Sequence, residues 1–117
     1  MIKGIGMDLI ELDRIQRLAS RQERFAERIL TINEQRTFSE LHGRRKIEFL
    51  AGRFAAKEAF SKAYGTGIGE ELSLQDMEIA SDDMGKPYFL KPFRRGVHLS
   101  ITHSRDFAAA QVVIEEI

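Results

Sequence analysis

The sequence predicts an α+β fold, one domain whose helices pack on a mainly antiparallel sheet. Three observations carry that prediction. Alternation of apolar and polar residues is confined to the two ends of the chain, residues from about 12 to 64 repeat their apolar positions with helical spacing, and no Ser/Gly-rich or low-complexity stretch intervenes. The order strand, helices, strands therefore makes residues 1–117 a single domain. Composition agrees, since a chain that is 43% hydrophobic and 31% charged is too apolar for disorder. The 18 Lys+Arg balance 18 Asp+Glu, which argues against general coating of nucleic acid. With no cysteine there is no disulfide framework, thiolate metal site or cysteine nucleophile. No apolar run approaches the roughly 18 to 20 residues of a membrane span, and the first residues lack the basic flank of a signal peptide. No membrane partner is expected, and cytoplasm is the expected address.

Ile2 to Leu9 reads as a short strand with Ile5, Met7 and Leu9 on one face and Gly4, Gly6 and Asp8 on the other. From about Leu12 to Leu30 the residues Ile15, Leu18, Gln22, Phe25 and Ile29 follow a helical course, and Ser20 with Glu23 matches a capping box that would divide it in two. Thr31 with Glu34 repeats that signature and starts a helix through Leu41, closed by His42-Gly43. The next helix runs from about Arg45 to Tyr64, with Ile47, Leu50, Ala51 and Phe54 as its apolar stripe and Gly65 as its stop. After Gly65 to Gly69, Met77 to Ala80 and Tyr88 to Leu90 read as a hairpin across the turn residues Ser81 to Gly85. Val97, Leu99 and Ile101 alternate with His98, Ser100 and Thr102 as one strand, and Phe107 to Ile114 is a second, apolar on both faces apart from Gln111. A small domain has limited means to cover both sides of such a strand, so a homo-oligomer of cyclic symmetry is expected.

Chemistry enters where the patterns break. The stripe ending at Phe54 continues by four residues onto Glu58 and then Lys62, which puts a carboxylate at a core-facing position. Either Glu58 and Lys62 form an ordinary surface pair or Glu58 faces a cleft. Asp8 stands at a strand end beside two glycines, suited to close approach of a ligand or a backbone, or equally to capping the next helix. Together Asp8 and Glu58 suit Mg2+, which takes one or two carboxylates and completes its shell with water and phosphate oxygens. The glycine run after the long helix is either a phosphate contact or a helix stop with a turn, and it lacks the strand-loop-helix order of a P-loop. Residues 42 to 62 hold six Lys/Arg against two Glu, including Arg45, Arg53 and Lys57, a patch able to recognise phosphates or a solvated helix surface.

Arg14, Arg17, Arg21, Arg24 and Arg28 recur every three or four residues, an arc of about 80° on a continuous helix, beside an apolar edge that includes Phe25. An acidic protein partner fits such a surface, and intrahelical pairing is the alternative. No aromatic residues interleave for base stacking, so nucleic acid is not the expected partner. Ser100, Thr102, His103 and Ser104 carry no nucleophile-elbow pattern and read as ligand donors or turn residues, not as a hydrolase triad.

Three segments, Gly4-Ile5-Gly6-Met7-Asp8-Leu9-Ile10-Glu11 with Arg14-Ile15, Phe54 to Gly67 including Lys57-Glu58-Ala59 and Lys62-Ala63-Tyr64-Gly65-Thr66-Gly67, and Ser100-Ile101-Thr102-His103-Ser104, occur in order across the chain. In this it resembles the bacterial holo-acyl-carrier-protein synthases, the small phosphopantetheinyl transferases. The resemblance implies transfer of 4′-phosphopantetheine from coenzyme A to a serine of an apo acyl carrier protein, releasing adenosine 3′,5′-bisphosphate, for fatty acid biosynthesis. It further implies Mg2+ at Asp8 and Glu58, with Glu58 as base and Lys62 stabilising the departing phosphate. Arg45, Arg53, Lys62, Gly65, Thr66, Thr102 and His103 would hold coenzyme A, and Arg14, Arg21, Arg24, Phe25 and Arg28 would dock the carrier. A homotrimer with sites shared between subunits is implied as well. The alternative is a non-catalytic module that binds acidic proteins through the arginine stripe, for which neither Asp8 nor Glu58 would be needed.

Overall fold

In the computed structural model, which describes all 117 residues, a long central helix lies across one face of a sheet built from both ends of the chain. Strand β1 (Ile2–Glu11) leads into α1 (Leu12–Arg21), the short α2 (Phe25–Ile29), α3 (Ile32–Glu40) and the 21-residue α4 (Arg44–Tyr64). A 3-10 turn (Leu74–Asp76) precedes β2 (Glu78–Ser81), β3 (Pro87–Lys91), β4 (Val97–His103) and β5 (Phe107–Glu115). The expected antiparallel sheet is two sheets: β1-β5-β4 with β5 in the middle, and the β2-β3 hairpin apart from it.

Register sorts the side chains of the larger sheet. Gly4, Gly6, Asp8 and Ile10 pair with Ile114, Val112, Ala110 and Ala108, all toward α4, where the β5 partners are fully buried or nearly so. The contact with β1 is between backbones. A Cβ on Gly6 would stand 1.9 Å from the Ala59 carbonyl oxygen, and one on Gly4 1.9 Å from that of Ala63, so only glycine lets the helix seat this deeply. Ala55, Ala59 and Ala63 keep the facing helix surface equally thin.

On the other face, Ile5 aligns with Val113 and His98, Met7 with Gln111 and Ser100, and Leu9 with Ala109 and Thr102. Nothing in the chain covers it, and Ile5, Met7 and Leu9 are 60%, 61% and 64% exposed. The strand that needs cover on both sides therefore receives it on one.

Two local readings change. Helix α1 ends at Arg21 and the break falls at 22–24, so the Ser20–Glu23 capping box is not formed; the Ser20 hydroxyl instead donates to the Gln16 carbonyl oxygen at 2.8 Å. The Thr31–Glu34 box is formed as expected. Lys57, grouped by sequence with the basic surface, is fully buried. Its ammonium donates to Glu34 Oε1 at 2.7 Å and to the carbonyls of Ile29 and Leu74 at 2.6 and 3.1 Å. Glu34 in turn accepts from the Thr31 and Ile79 amides, and the Thr31 hydroxyl donates to Glu78. Burial pushes the Lys57 ammonium below its ordinary value while Glu34 pulls it back. With every ammonium proton satisfied, this pair ties α4 to α3 and β2 instead of recognising phosphate.

Candidate active site

The glycine contact decides what Asp8 meets. Glu58 and Lys62 each precede by one residue the alanines on which Gly6 and Gly4 rest, so the helix turn that locks β1 also presents both side chains beside the end of that strand. Lys62 Nζ donates to the Met7 carbonyl at 3.0 Å and to Asp8 Oδ1 at 3.2 Å. The ordinary Glu58–Lys62 surface pair is thus replaced by a Lys62–Asp8 pair. Asp8 does not cap α1 either: Glu11 occupies that position, without a side-chain cap.

Glu58 is half-buried and its carboxylate makes no hydrogen bond or ion pair. Burial raises its pKa above the ordinary 4.5, the Asp8 carboxylate raises it further, and Lys62 opposes both. Two carboxylates therefore lie beside one ammonium at a partly exposed surface, and no third acidic or imidazole group joins them. That donor set is too small for a closed metal cage and fits a hard ion that keeps water and substrate oxygens in its shell.

Gly65 ends α4 in the left-handed region at φ 102°, its amide donating to the Ser61 carbonyl at 3.0 Å, and Thr66 follows at the same end as Lys62. The helix-stop reading of this glycine is correct, and the stop exposes Thr66. The remaining coenzyme candidates lie elsewhere. Arg45, Glu48, Phe49, Arg53, Ser81 and His103 line a groove on another side of α4. There the Arg53 guanidinium stacks over the Phe49 ring at 4.3 Å, with a buried Nε that has no partner. Burial lowers the pKa of Arg53, with Glu34 opposing. His103 Nδ1 lies 3.6 Å from Glu48 Oε2, which Arg44 also approaches at 3.3 Å. Thr102 is exposed on the bare sheet face beside Leu9 and Ala109.

One chain thus assembles Asp8, Glu58 and Lys62 but not the whole expected set. Helical geometry puts Arg53 about 140° around α4 from Glu58, and Arg45 about 20 Å from it along the axis. Sequence reading missed Glu48 and Phe49, although the four-residue spacing of Phe49 and Arg53 is the signal of a stacked pair on one helix face.

The arginines of the stripe are all exposed, and Phe25 is half-buried beside them. The break after α1 leaves Arg14, Arg17 and Arg21 on one helix and Arg28 on the next, with Arg24 at the junction. Intrahelical pairing takes up little of this charge: Arg24 meets Glu27 at 4.0 Å, Arg28 donates to the Gln22 side chain at 3.3 Å, and Arg14, Arg17 and Arg21 form no ion pair.

Comparison with known proteins gives one answer. Residues 4–112 match the 4′-phosphopantetheinyl transferase superfamily. The chain is 61% identical over 119 residues to the holo-[acyl-carrier-protein] synthase of Bacillus subtilis (strain 168), spanning 100% of this chain and 98% of that protein. It is 60% identical to the protein of that name from Geobacillus kaustophilus, over 100% and 92% of the two chains. Among solved structures it is similar to the holo-(acyl-carrier-protein) synthase of Bacillus anthracis in complex with CoA (3′,5′-ADP), with a TM-score of 0.91, 54% identity and coverage of 100% and 99%. The synthase from Neisseria meningitidis matches with a TM-score of 0.88 at 40% identity, over 99% of this chain and 100% of that one.

Proposed function

The chain belongs to the 4′-phosphopantetheinyl transferase superfamily, among its holo-acyl-carrier-protein synthases, and from that premise we propose how its residues carry out the reaction. The reaction moves 4′-phosphopantetheine from coenzyme A to a serine hydroxyl of an apo acyl carrier protein, supplying holo carrier for fatty acid biosynthesis and releasing adenosine 3′,5′-bisphosphate. The observation that carries the assignment of residues is the meeting of Asp8, Glu58 and Lys62 across the glycine contact. The non-catalytic alternative gives that meeting no purpose.

Asp8 and Glu58 would hold Mg2+, which supplies positive charge against the diphosphate of coenzyme A. Glu58, directly or through a water, takes the proton of the carrier serine, and its raised proton affinity favours that role. The serine oxygen attacks the β-phosphorus in line. The bond from that phosphorus to the bridging oxygen breaks, and Lys62 stabilises the departing phosphate. Gly65 and Thr66 lie beside this centre at the end of α4, while Arg45, Arg53, Thr102 and His103 hold the nucleotide end of the substrate.

Those four residues reach the centre if they come from a neighbouring subunit. The bare sheet face carrying Ile5, Met7 and Leu9 supports a homotrimer in which it is covered by other copies. Arg14, Arg21, Arg24, Phe25 and Arg28 dock the acidic carrier, and the exposed, largely unpaired guanidinium groups support that role. No helix is long and apolar enough to cross a membrane, and cytoplasm is the proposed location.

The test is the mass of an apo carrier protein after incubation with the enzyme, coenzyme A and Mg2+. The native chain adds phosphopantetheine. Asp8→Ala and Glu58→Ala each slow transfer by at least about 10³-fold, as expected for groups that act on transition-state charge. Circular dichroism should match the native spectrum, since both side chains are only partly buried. Near-native activity of both variants at limiting Mg2+ would refute the site.

A further inference from the structure

We propose that the Lys62 ammonium is a resident cation of the carboxylate pair: it holds Asp8 until a divalent ion enters, and that exchange frees it to turn toward the diphosphate. The proposal rests on the reading that Asp8 and Glu58 bind the ion. Lys62 Nζ donates to Asp8 Oδ1 at 3.2 Å and to the Met7 carbonyl at 3.0 Å, so it satisfies one of the carboxylates an ion would need. The two carboxylates bear on each other, and Lys62 is the cation acting against that repulsion.

Charge makes the exchange directional. One ammonium offsets half of the negative charge of the pair, whereas a divalent ion offsets all of it. An ion on Asp8 and an ammonium 3.2 Å from the same oxygen repel at short range, so the two occupy the site in turn. The side chain is free to leave. Asp8 retains 18% side-chain exposure whereas Lys62 retains 52%, and the hydrogen bond Lys62 gives up beyond Asp8 is a solvent-exposed one to the Met7 carbonyl. Its four-carbon stem can carry the ammonium from Asp8 to a neighbouring phosphate without moving the helix. Two assignments that otherwise look separate, ion binding at Asp8 and phosphate stabilisation by Lys62, thus become halves of one event. The cost is a weaker affinity for the ion.

That cost can be measured without turnover. Manganese titrated into the full-length protein in the absence of coenzyme A, with free Mn2+ followed by electron paramagnetic resonance, reads the affinity directly. Lys62→Met keeps the stem and removes the charge, and should bind Mn2+ about five- to tenfold more tightly than the native chain. Lys62→Arg keeps the charge and should bind within about twofold of native. Asp8→Asn should bind far more weakly, marking the site. Equal or weaker binding by Lys62→Met, with Asp8→Asn still defective, would overturn the exchange and leave the ion site standing. Native and Asp8→Asn chains binding Mn2+ alike would overturn the ion site and the exchange with it.

Discussion

Glu58 carries opposite consequences for stability and for rate. Its pKa in the folded chain is raised, so between the ordinary value of 4.5 and that raised value the native state holds a proton the unfolded chain has released. Folding stability therefore falls as pH rises through this interval. Glu58→Gln should accordingly raise the thermal unfolding midpoint at pH 7 while giving no gain below pH 4, and should abolish transfer. For the native enzyme, protonation removes both base and ligand as pH falls through the raised value. The acid limb of the rate profile should lie above the ordinary glutamate range and move to lower pH as Mg2+ is increased, because ion and proton compete for one carboxylate. An acid limb indifferent to Mg2+ would separate Glu58 from ion binding. Glu58 was legible in the sequence because a carboxylate interrupts an apolar stripe. Its neighbour Lys57 was not, because it sits in a basic run and its partner Glu34 is 23 residues away on another helix, beyond any spacing rule.

At the scale of elements, local signals were read well when both partners lie within one turn and poorly when a competing bond was available. The Thr31–Glu34 box closes over three residues and fixes the start of α3, whereas Ser20 has a choice and its hydroxyl turns back to Gln16. The misplaced break matters for the carrier surface. An unbroken stripe of five arginines would act as one ridge, but α1 presents Arg14, Arg17 and Arg21 together while Arg28 is engaged by Gln22. Arg14→Glu combined with Arg21→Glu should raise the KM for carrier protein by about tenfold at low ionic strength, with the coenzyme A KM unchanged, and added salt should shrink the difference. Arg28→Glu alone should do less. Unchanged carrier KM in the double variant would make these arginines ordinary helix surface. The contact of β1 with α4 was half legible: glycines announce a close approach, but only the register with Ala59 and Ala63 shows that the approaching group is a helix backbone.

For the whole molecule, the separation of the two residue groups around α4 and the bare sheet face lead to one expectation. A Glu58→Ala chain and an Arg45→Glu, Arg53→Gln chain, each inactive alone, should regain activity when co-refolded, because about a quarter of randomly mixed interfaces pair an intact Glu58 side with an intact arginine side. No recovery, or a fully active monomer by sedimentation, would refute the shared site. The expectation of an oligomer came from the double-sided apolar character of the last strand, yet sequence could not show that β1 supplies most of the exposed apolar side chains on the bare face. The pairing of β1 with β5 also sets a clock. Ile10 aligns with Ala108, so during synthesis β1 has no hydrogen-bonding neighbour until β5 emerges. At about 5 to 20 residues per second that is a wait of roughly 5 to 20 seconds, during which Ile5, Met7 and Leu9 stand unpaired and open to misassociation. Asp8 is thus made long before Ala110, the residue whose strand fixes its place.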